Sequence, residues 1–292
     1  MKVAIIGAGL AGLACAYELK RNGITPTIYE KKDYIGEVTK IPALVLRMVN
    51  EPVKNPLNYL EKKYQMSLQP SYPVNNLTMI SPNNTRVVKA DLGHVFRRDG
   101  SEEAMLNQVR SHVGDVPIVF NCYAKVEELR MSHDYVVVAS GTPDIPREMN
   151  VYSSVFRSYT RIARVEGDFD VSSVVMWFNK KYANTGYAYL VANTHKDAYL
   201  ILITNEIQEY EMDSYWNDFL ATERIQHKIV DTMLVKHDVG FVNPVKVGNV
   251  CFVGNAGGFL DTFLGFGTIK AILTGILAGS SIANNLDYIR LV

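Results

Sequence analysis

The chain has 292 residues, 48% of them hydrophobic, enough to bury a core in one large or two interdigitated domains. Its 30 basic and 30 acidic side chains balance, so it lacks the basic excess that displaces counterions from nucleic acid, and the composition does not ask for that class of partner. Cys15, Cys122 and Cys251 are odd in number, far apart and without a C-x-x-C, which argues against a disulfide framework or a zinc knuckle.

Val3 to Ile6 is a short, continuously apolar run, the mark of a strand buried on both faces. Leu10, Leu13, Ala14 and Tyr17 then recur at helical spacing, Asn22-Gly23 supplies a stop, and Pro26 to Tyr29 restarts a strand ending at Glu30. Residues 31–95 lose this regularity, with prolines at 42, 56, 70, 73 and 82 and turn signals at Asn75-Asn76 and Asn83-Asn84. A helix is predicted from about Ser101, with Met105, Leu106, Val109 and Val113 on one face. Strands are predicted at Pro117 to Asn121 and Tyr135 to Ser140. From Val151 to about Glu209 the chain alternates β-branched and aromatic residues, the signature of an antiparallel sheet. A helix is expected over Tyr215 to Val235, burying Trp216, Phe219, Leu220, Ile229 and Met233. Asn249 to Gly254 is another buried strand, followed by a glycine-rich loop and a long apolar helix to about Asn285. No signal-peptide pattern precedes the first strand, and no stretch is long and unbroken enough to span a bilayer. A cytoplasmic protein is therefore expected; peripheral membrane contact stays open as an alternative, through the apolar stretch Phe259 to Ile282, but is not indicated.

Gly7-Ala8-Gly9-Leu10-Ala11-Gly12 is a G-x-G-x-x-G that follows a strand, opens a helix and precedes Glu30 at the end of the next strand. Gly7 permits the tight turn, Gly9 lets the backbone approach a pyrophosphate, and Gly12 lets helix pack on strand. The helix N-terminus offers free N–H groups and partial positive charge to the phosphates. Glu30 would accept hydrogen bonds from the adenosine ribose and repel a 2′-phosphate, which disfavours NADP. The six histidines show no metal spacing and no H-E-x-x-H, so no metal site is expected. Ser140 lacks the flanks of a nucleophile elbow.

A second motif runs from Val250 through Gly254-Asn255-Ala256-Gly257-Gly258 to Gly265-Phe266-Gly267. It resembles the closing motif of glutathione-reductase-like flavoproteins, and with it the chain resembles the geranylgeranyl reductase family, itself related to the flavin-dependent aromatic hydroxylases. Arg98 before a helix, Tyr135 to Gly141 and Gly186-Tyr187-Ala188-Tyr189 fall in the family's order. Departures are Asn255 where the family has Asp, Asp261-Thr262 in place of Asn-Pro, and Gly36-Glu37-Val38-Thr39 without the family's cysteine. The resemblance implies noncovalent FAD held by Gly7, Gly9, Leu10, Ala11, Gly12, Glu30, Lys31, Arg98, Gly141, Gly254, Asn255, Gly265, Gly267 and Thr268. Tyr187 and Tyr189, on one strand face, would line the substrate pocket, with packing as the alternative role.

The implied fold is α/β, an FAD-binding Rossmann-type parallel sheet with an inserted antiparallel substrate domain. The FAD domain would comprise 1–35, 96–150 and 240–292, and the substrate domain 36–95 and 151–239. The function expected is an FAD-dependent oxidoreductase acting on an apolar, isoprenoid-like small molecule by hydride transfer at flavin N5. The alternatives are an FAD-dependent monooxygenase and a non-catalytic flavoprotein subunit working through a partner. Asp99-Gly100-Ser101 also resembles a segment of phytoene desaturases and amine oxidases. Without a second G-x-G-x-x-G, electrons would come from transiently bound NAD(P)H, from ferredoxin or from a redox partner protein.

Overall fold

The computed structural model describes residues 1–36, 40–50, 53–261 and 264–292. In chain order its elements begin with β1 (Val3–Ile6), α1 (Leu10–Arg21), β2 (Thr27–Tyr29), β3 (Ala43–Leu46), α2 (Pro56–Tyr64), β4 (Tyr72–Ser81) and β5 (Asn84–Phe96). There follow α3 (Met105–Val113), β6 (Ile118–Val119), α4 (Val126–Ser132), β7 (Tyr135–Val138), α5 (Asp144–Glu148), β8 (Tyr152–Glu166) and β9 (Ser173–Trp177). The remainder is α6 (Lys180–Ala183), β10 (Tyr187–Ala192), β11 (Asp197–Asn205), α7 (Met212–Thr222), β12 (Lys228–Val242), β13 (Lys246–Val247), β14 (Val250–Phe252), α8 (Thr268–Asn284) and α9 (Tyr288–Leu291).

These strands form two sheets. The first has the order β13-β14-β7-β1-β2-β6 and is parallel except for β13. Its strands come from three separated stretches of chain, and β1 lies at the reversal of strand order, where such sheets open a crevice. β1 and β14 are buried along their whole length, as a sheet covered on both faces requires. One face packs on α1, α3 and α8 through Leu13, Leu19, Ile272 and Ile276, and the other on α4 through Val126 and Phe252. The second sheet has the order β12-β8-β11-β10-β9-β4-β5-β3 and is antiparallel except between β4 and β9. Ala188, Leu190, Leu200 and Leu202 face Trp216 and Phe219 of α7, while Tyr187, Tyr189, Ile162 and Ile201 form the opposite face.

The sequence reading needs correction in two places. The helix expected over Tyr215 to Val235 ends at Thr222, Arg224 takes a left-handed φ of 52°, and the chain returns as β12. Trp216 and Phe219 are buried as expected, but Ile229 and Met233 are 37% and 39% exposed on an edge strand. Their helical spacing is coincidental, and pairing with β8 from Lys228 to Val242 decides the conformation. The stretch read as irregular contains the long β4–β5 hairpin, whose tip coincides with the Asn83-Asn84 turn signal. Glu37, Val38, Thr39 and Thr262, which mark departures from the family pattern, lie outside the described residues.

Candidate active site

The site starts where β1 ends. Gly7 turns at a φ of 107°, where a Cβ would stand 2.5 Å from the Ala139 carbonyl oxygen, so only glycine fits. A Cβ on Gly12 would stand 2.0 Å from the Gly7 carbonyl oxygen, which explains how α1 lies so close to the turn. Gly9 is different: nothing lies within 4 Å of its Cβ position, so its backbone borders open space. The buried Glu30 carboxylate accepts from the Ala8 N–H at 2.8 Å and the Lys32 N–H at 3.0 Å, which fixes it beside the glycine turn.

Two helix N-termini meet here, and neither has a side-chain cap. α8 packs against α1 through Gly275 and Gly279, where a Cβ would stand 2.2 Å from the Ala11 carbonyl oxygen and 2.9 Å from that of Cys15. Both numbers rise together along the two helices, so they run parallel and point their N-termini the same way. Leu10 then stands level with Thr274, and α8 projects beyond the start of α1 by about 9 Å at 1.5 Å per residue. The orphan N–H groups of both helices therefore border one elongated cleft.

That cleft, about 340 Å³, is lined by Gly7, Gly9, Leu10, Ala11, Glu30, Lys31, Arg98, Gly141, Asn255, Gly265, Gly267 and Thr268. Gly12 and Gly254 are not on its surface; they serve packing, Gly12 under the turn and Gly254 against Ala11 and Ala271. The Asn255 carboxamide oxygen lies 2.9 Å from the Cβ position of Gly267, which places it under the loop that opens α8. Sequence reasoning missed Lys32, Ser140, Thr142 and Leu260, which also border the cleft. It missed a side pocket as well, about 60 Å³, where Tyr29 and Glu30 meet Cys122 and Tyr123. No local signal marks Cys122; its N–H donates to the Glu30 carbonyl at 2.9 Å because β6 pairs with β2.

A second cavity, about 230 Å³, opens against the cofacial wall of the antiparallel sheet. It shares Arg98, Leu260, Gly265, Gly267 and Thr268 with the cleft, so the two are contiguous. Desolvation draws the Arg98 guanidinium down to about 10, opposed by Tyr189, and it stays charged at neutral pH. Burial pushes the Tyr189 phenol up to about 12, with Arg98 pulling the other way, so it stays protonated. Tyr189 lines this cavity, whereas Tyr187 does not. Tyr187 is fully buried, stacked between Phe178 and Tyr189 at centroid distances of 5.9 and 5.7 Å, and donates to the Leu264 carbonyl oxygen at 2.5 Å. Its place is to hold the loop leading into α8.

Fold and cleft together define a Rossmann-type dinucleotide-binding architecture joined to a large antiparallel sheet. The family described as an NAD(P)-binding Rossmann-like domain matches residues 5–59. The 15-cis-phytoene desaturase of Synechococcus elongatus is 58% identical over 36 residues, 12% of this chain and 8% of that one. A digeranylgeranylglycerophospholipid reductase of Methanocella arvoryzae is 28% identical over 116 residues, 39% of this chain and 30% of the relative. The matched stretches thus span less than a third of either curated relative. Among solved structures, a geranylgeranyl bacteriochlorophyll reductase-like protein of Thermoplasma acidophilum superposes with a TM-score of 0.78 at 16% identity, covering 98% of this chain and 79% of that one. A flavin-dependent brominase gives 0.72 at 16% identity, covering 98% and 79%. The chain resembles the geranylgeranyl reductase group in its sequence motifs and has that fold. Among the described residues no helix is long and apolar enough to cross a membrane.

Proposed function

We propose that the protein is an FAD-dependent oxidoreductase acting on an apolar, isoprenoid-like small molecule. The observation that carries this reading is the shared wall: a cleft suited to a dinucleotide runs directly into a largely apolar cavity at the N-terminus of α8. The residues present fit FAD. Glu30 offers its remaining lone pairs to ribose hydroxyls, the bare backbone at Gly9 and the first turn of α1 suit a pyrophosphate, and Asn255 offers an amide to the ribityl chain. Bound there, FAD would supply hydride transfer at its N5. The chain's own contribution is to orient the substrate along Ile162, Ile203 and Val235, exclude water, and present the protonated Tyr189 phenol as a proton donor on the cavity wall. The names of the relatives, a phytoene desaturase and a digeranylgeranylglycerophospholipid reductase, support an isoprenoid-like substrate. Electrons would come from NAD(P)H, from ferredoxin or from a redox partner protein.

A monooxygenase is the second reading, favoured by structural neighbours that include a flavin-dependent halogenase and a pyridine-carboxylic acid oxygenase. Purified protein reconstituted with FAD tests both. We expect a yellow protein bleached anaerobically by NAD(P)H or a ferredoxin system and reoxidised without oxygen by an unsaturated isoprenoid such as geraniol, one of whose double bonds is saturated; incorporation of an oxygen atom from O2 into the product, with no anaerobic reoxidation, favours the monooxygenase. Protein that stays colourless after incubation with FAD overturns both and leaves a non-catalytic module.

A further inference from the structure

On the cavity face of the antiparallel sheet, β11, β8 and β12 lie side by side. Ser158 stands opposite Asn205 on one side and His237 on the other, so the three side chains form one row across three strands. All three line the second cavity. The row is flanked by Phe156 and Val239 on one side and by Ile203, Thr160 and Val235 on the other, an otherwise largely apolar setting.

The polar atoms of the row border an accessible cavity and are not sealed in a core, so they are left for water, or for a ligand that displaces it, to hydrogen-bond. Among the described residues, none forms a hydrogen bond with the Ser158 hydroxyl, the Asn205 carboxamide or the His237 ring. The opposite face of the same strands shows how differently the chain treats charge. There Asp238 accepts from Arg157 at 2.9 Å and from Arg147 at 3.0 Å, and Arg161 pairs with Asp213. Around the row, alternation along β8 and β12 thus sends the Arg157–Asp238 and Arg161–Asp213 pairs outward and a neutral polar row inward, while Arg164–Asp231 lies farther along the inner face, outside the cavity lining.

We propose that the Ser158–Asn205–His237 row receives the neutral, oxygen-bearing end of the substrate, an alcohol or ketone oxygen on an otherwise hydrocarbon molecule. This rests on the oxidoreductase reading and names the substrate class more narrowly. A hydroxyl, a carboxamide and a neutral imidazole each both donate and accept, the repertoire an alcohol or carbonyl needs. A carboxylate or phosphate would need a cation, and the charged side chain on this cavity, Arg98, lies at the border shared with the cofactor cleft. Burial also holds the His237 imidazole below its ordinary value despite Asp238 beside it, so it faces the cavity uncharged at neutral pH. The hydrocarbon part then lies along Thr160, Ile162, Ile203, Val235 and Tyr189.

The test is calorimetric titration of the holoprotein with three probes of similar carbon skeleton: geraniol, neutral and hydroxylated; myrcene, a hydrocarbon; and geranate, an anion. FAD content is read separately from absorbance, so failure of the cofactor reading is visible apart from failure of this one. Geraniol should bind about tenfold more tightly than myrcene, and Ser158→Ala or His237→Leu should each remove about threefold of that preference. Myrcene affinity should stay within about twofold in both variants, and His237→Gln, which keeps a donor and an acceptor, should restore most of the geraniol preference. Geranate binding most tightly, geraniol binding no better than myrcene, or none of the three binding would overturn the proposal. So would an undiminished preference in the Ser158→Ala/His237→Leu double variant. If a variant melts below assay temperature, the comparison of the three probes on the unaltered protein still decides.

Discussion

Glu30 holds two backbone N–H groups, of Ala8 and Lys32, and through them sets the shape of the glycine turn. Glu30→Ala should weaken FAD retention by about 1–3 kcal/mol, the scale of a hydrogen bond to a charged group or of a stranded donor. Equal retention by variant and parent across a dilution series would show that the ribose lies elsewhere. Asn255, a departure from the family pattern, lines the cleft. Asn255→Leu removes both hydrogen-bonding functions and should lower FAD occupancy more than it lowers the apoprotein melting temperature. Asn255→Asp should keep the fold and make FAD affinity depend on salt, because it adds a charge in the cleft that Arg98 also lines. Flavin affinity unmoved in both variants would remove Asn255 from the site.

At the scale of elements, the parallel packing of α1 on α8 is what aims two uncapped N-termini into one cleft. Two glycines separate packing from ligand space. Gly275→Ala drives a methyl toward the Ala11 carbonyl oxygen, 2.2 Å from the Cβ position, and should destabilise the apoprotein by about 1–3 kcal/mol. Gly9→Ala meets nothing within 4 Å and leaves φ at −84°, which alanine adopts freely. It should leave the apoprotein melting temperature unchanged while costing at least about tenfold in FAD affinity, since its methyl occupies the space a pyrophosphate needs. Thermal melting with and without FAD reads both variants. A Gly9→Ala protein that binds FAD normally would move the pyrophosphate away from the turn.

For the whole molecule, pH reports how burial is distributed. Burial, opposed by Asp91, depresses the His94 imidazole, and burial, opposed by Asp238, depresses that of His237, both from an ordinary value of 6.5. The unfolded chain takes up protons at these rings before the folded one does, so their stability is fully present above pH 6.5 and is lost as pH falls through the lower folded values. Asp238, held down by Arg157, adds a further loss below its ordinary 3.8. Urea midpoints should therefore begin to fall just below pH 6.5, and the double variant His94→Gln/His237→Gln should flatten that first decline; an identical slope would assign the loss to other groups. Local and distant causes also leave different traces in a sequence. The β1–α1–β2 unit was legible because its chemistry is local: a turn that only glycine can make, a helix stripe and an acid, all within thirty residues. The buried strands at Tyr135 and Val250 were legible because a sheet covered on both faces demands unbroken apolar runs. β12 was not, since its conformation comes from pairing with β8 across the chain, and an edge strand carries too little burial to impose a pattern of its own. Likewise, the sequence put Tyr187 and Tyr189 on one face, but only stacking with Phe178 and the bond to Leu264 decided that one is structural and the other lines the cavity. The row of Ser158, Asn205 and His237 has no trace in any single stretch, because register between three strands, a long-range property, is what makes it.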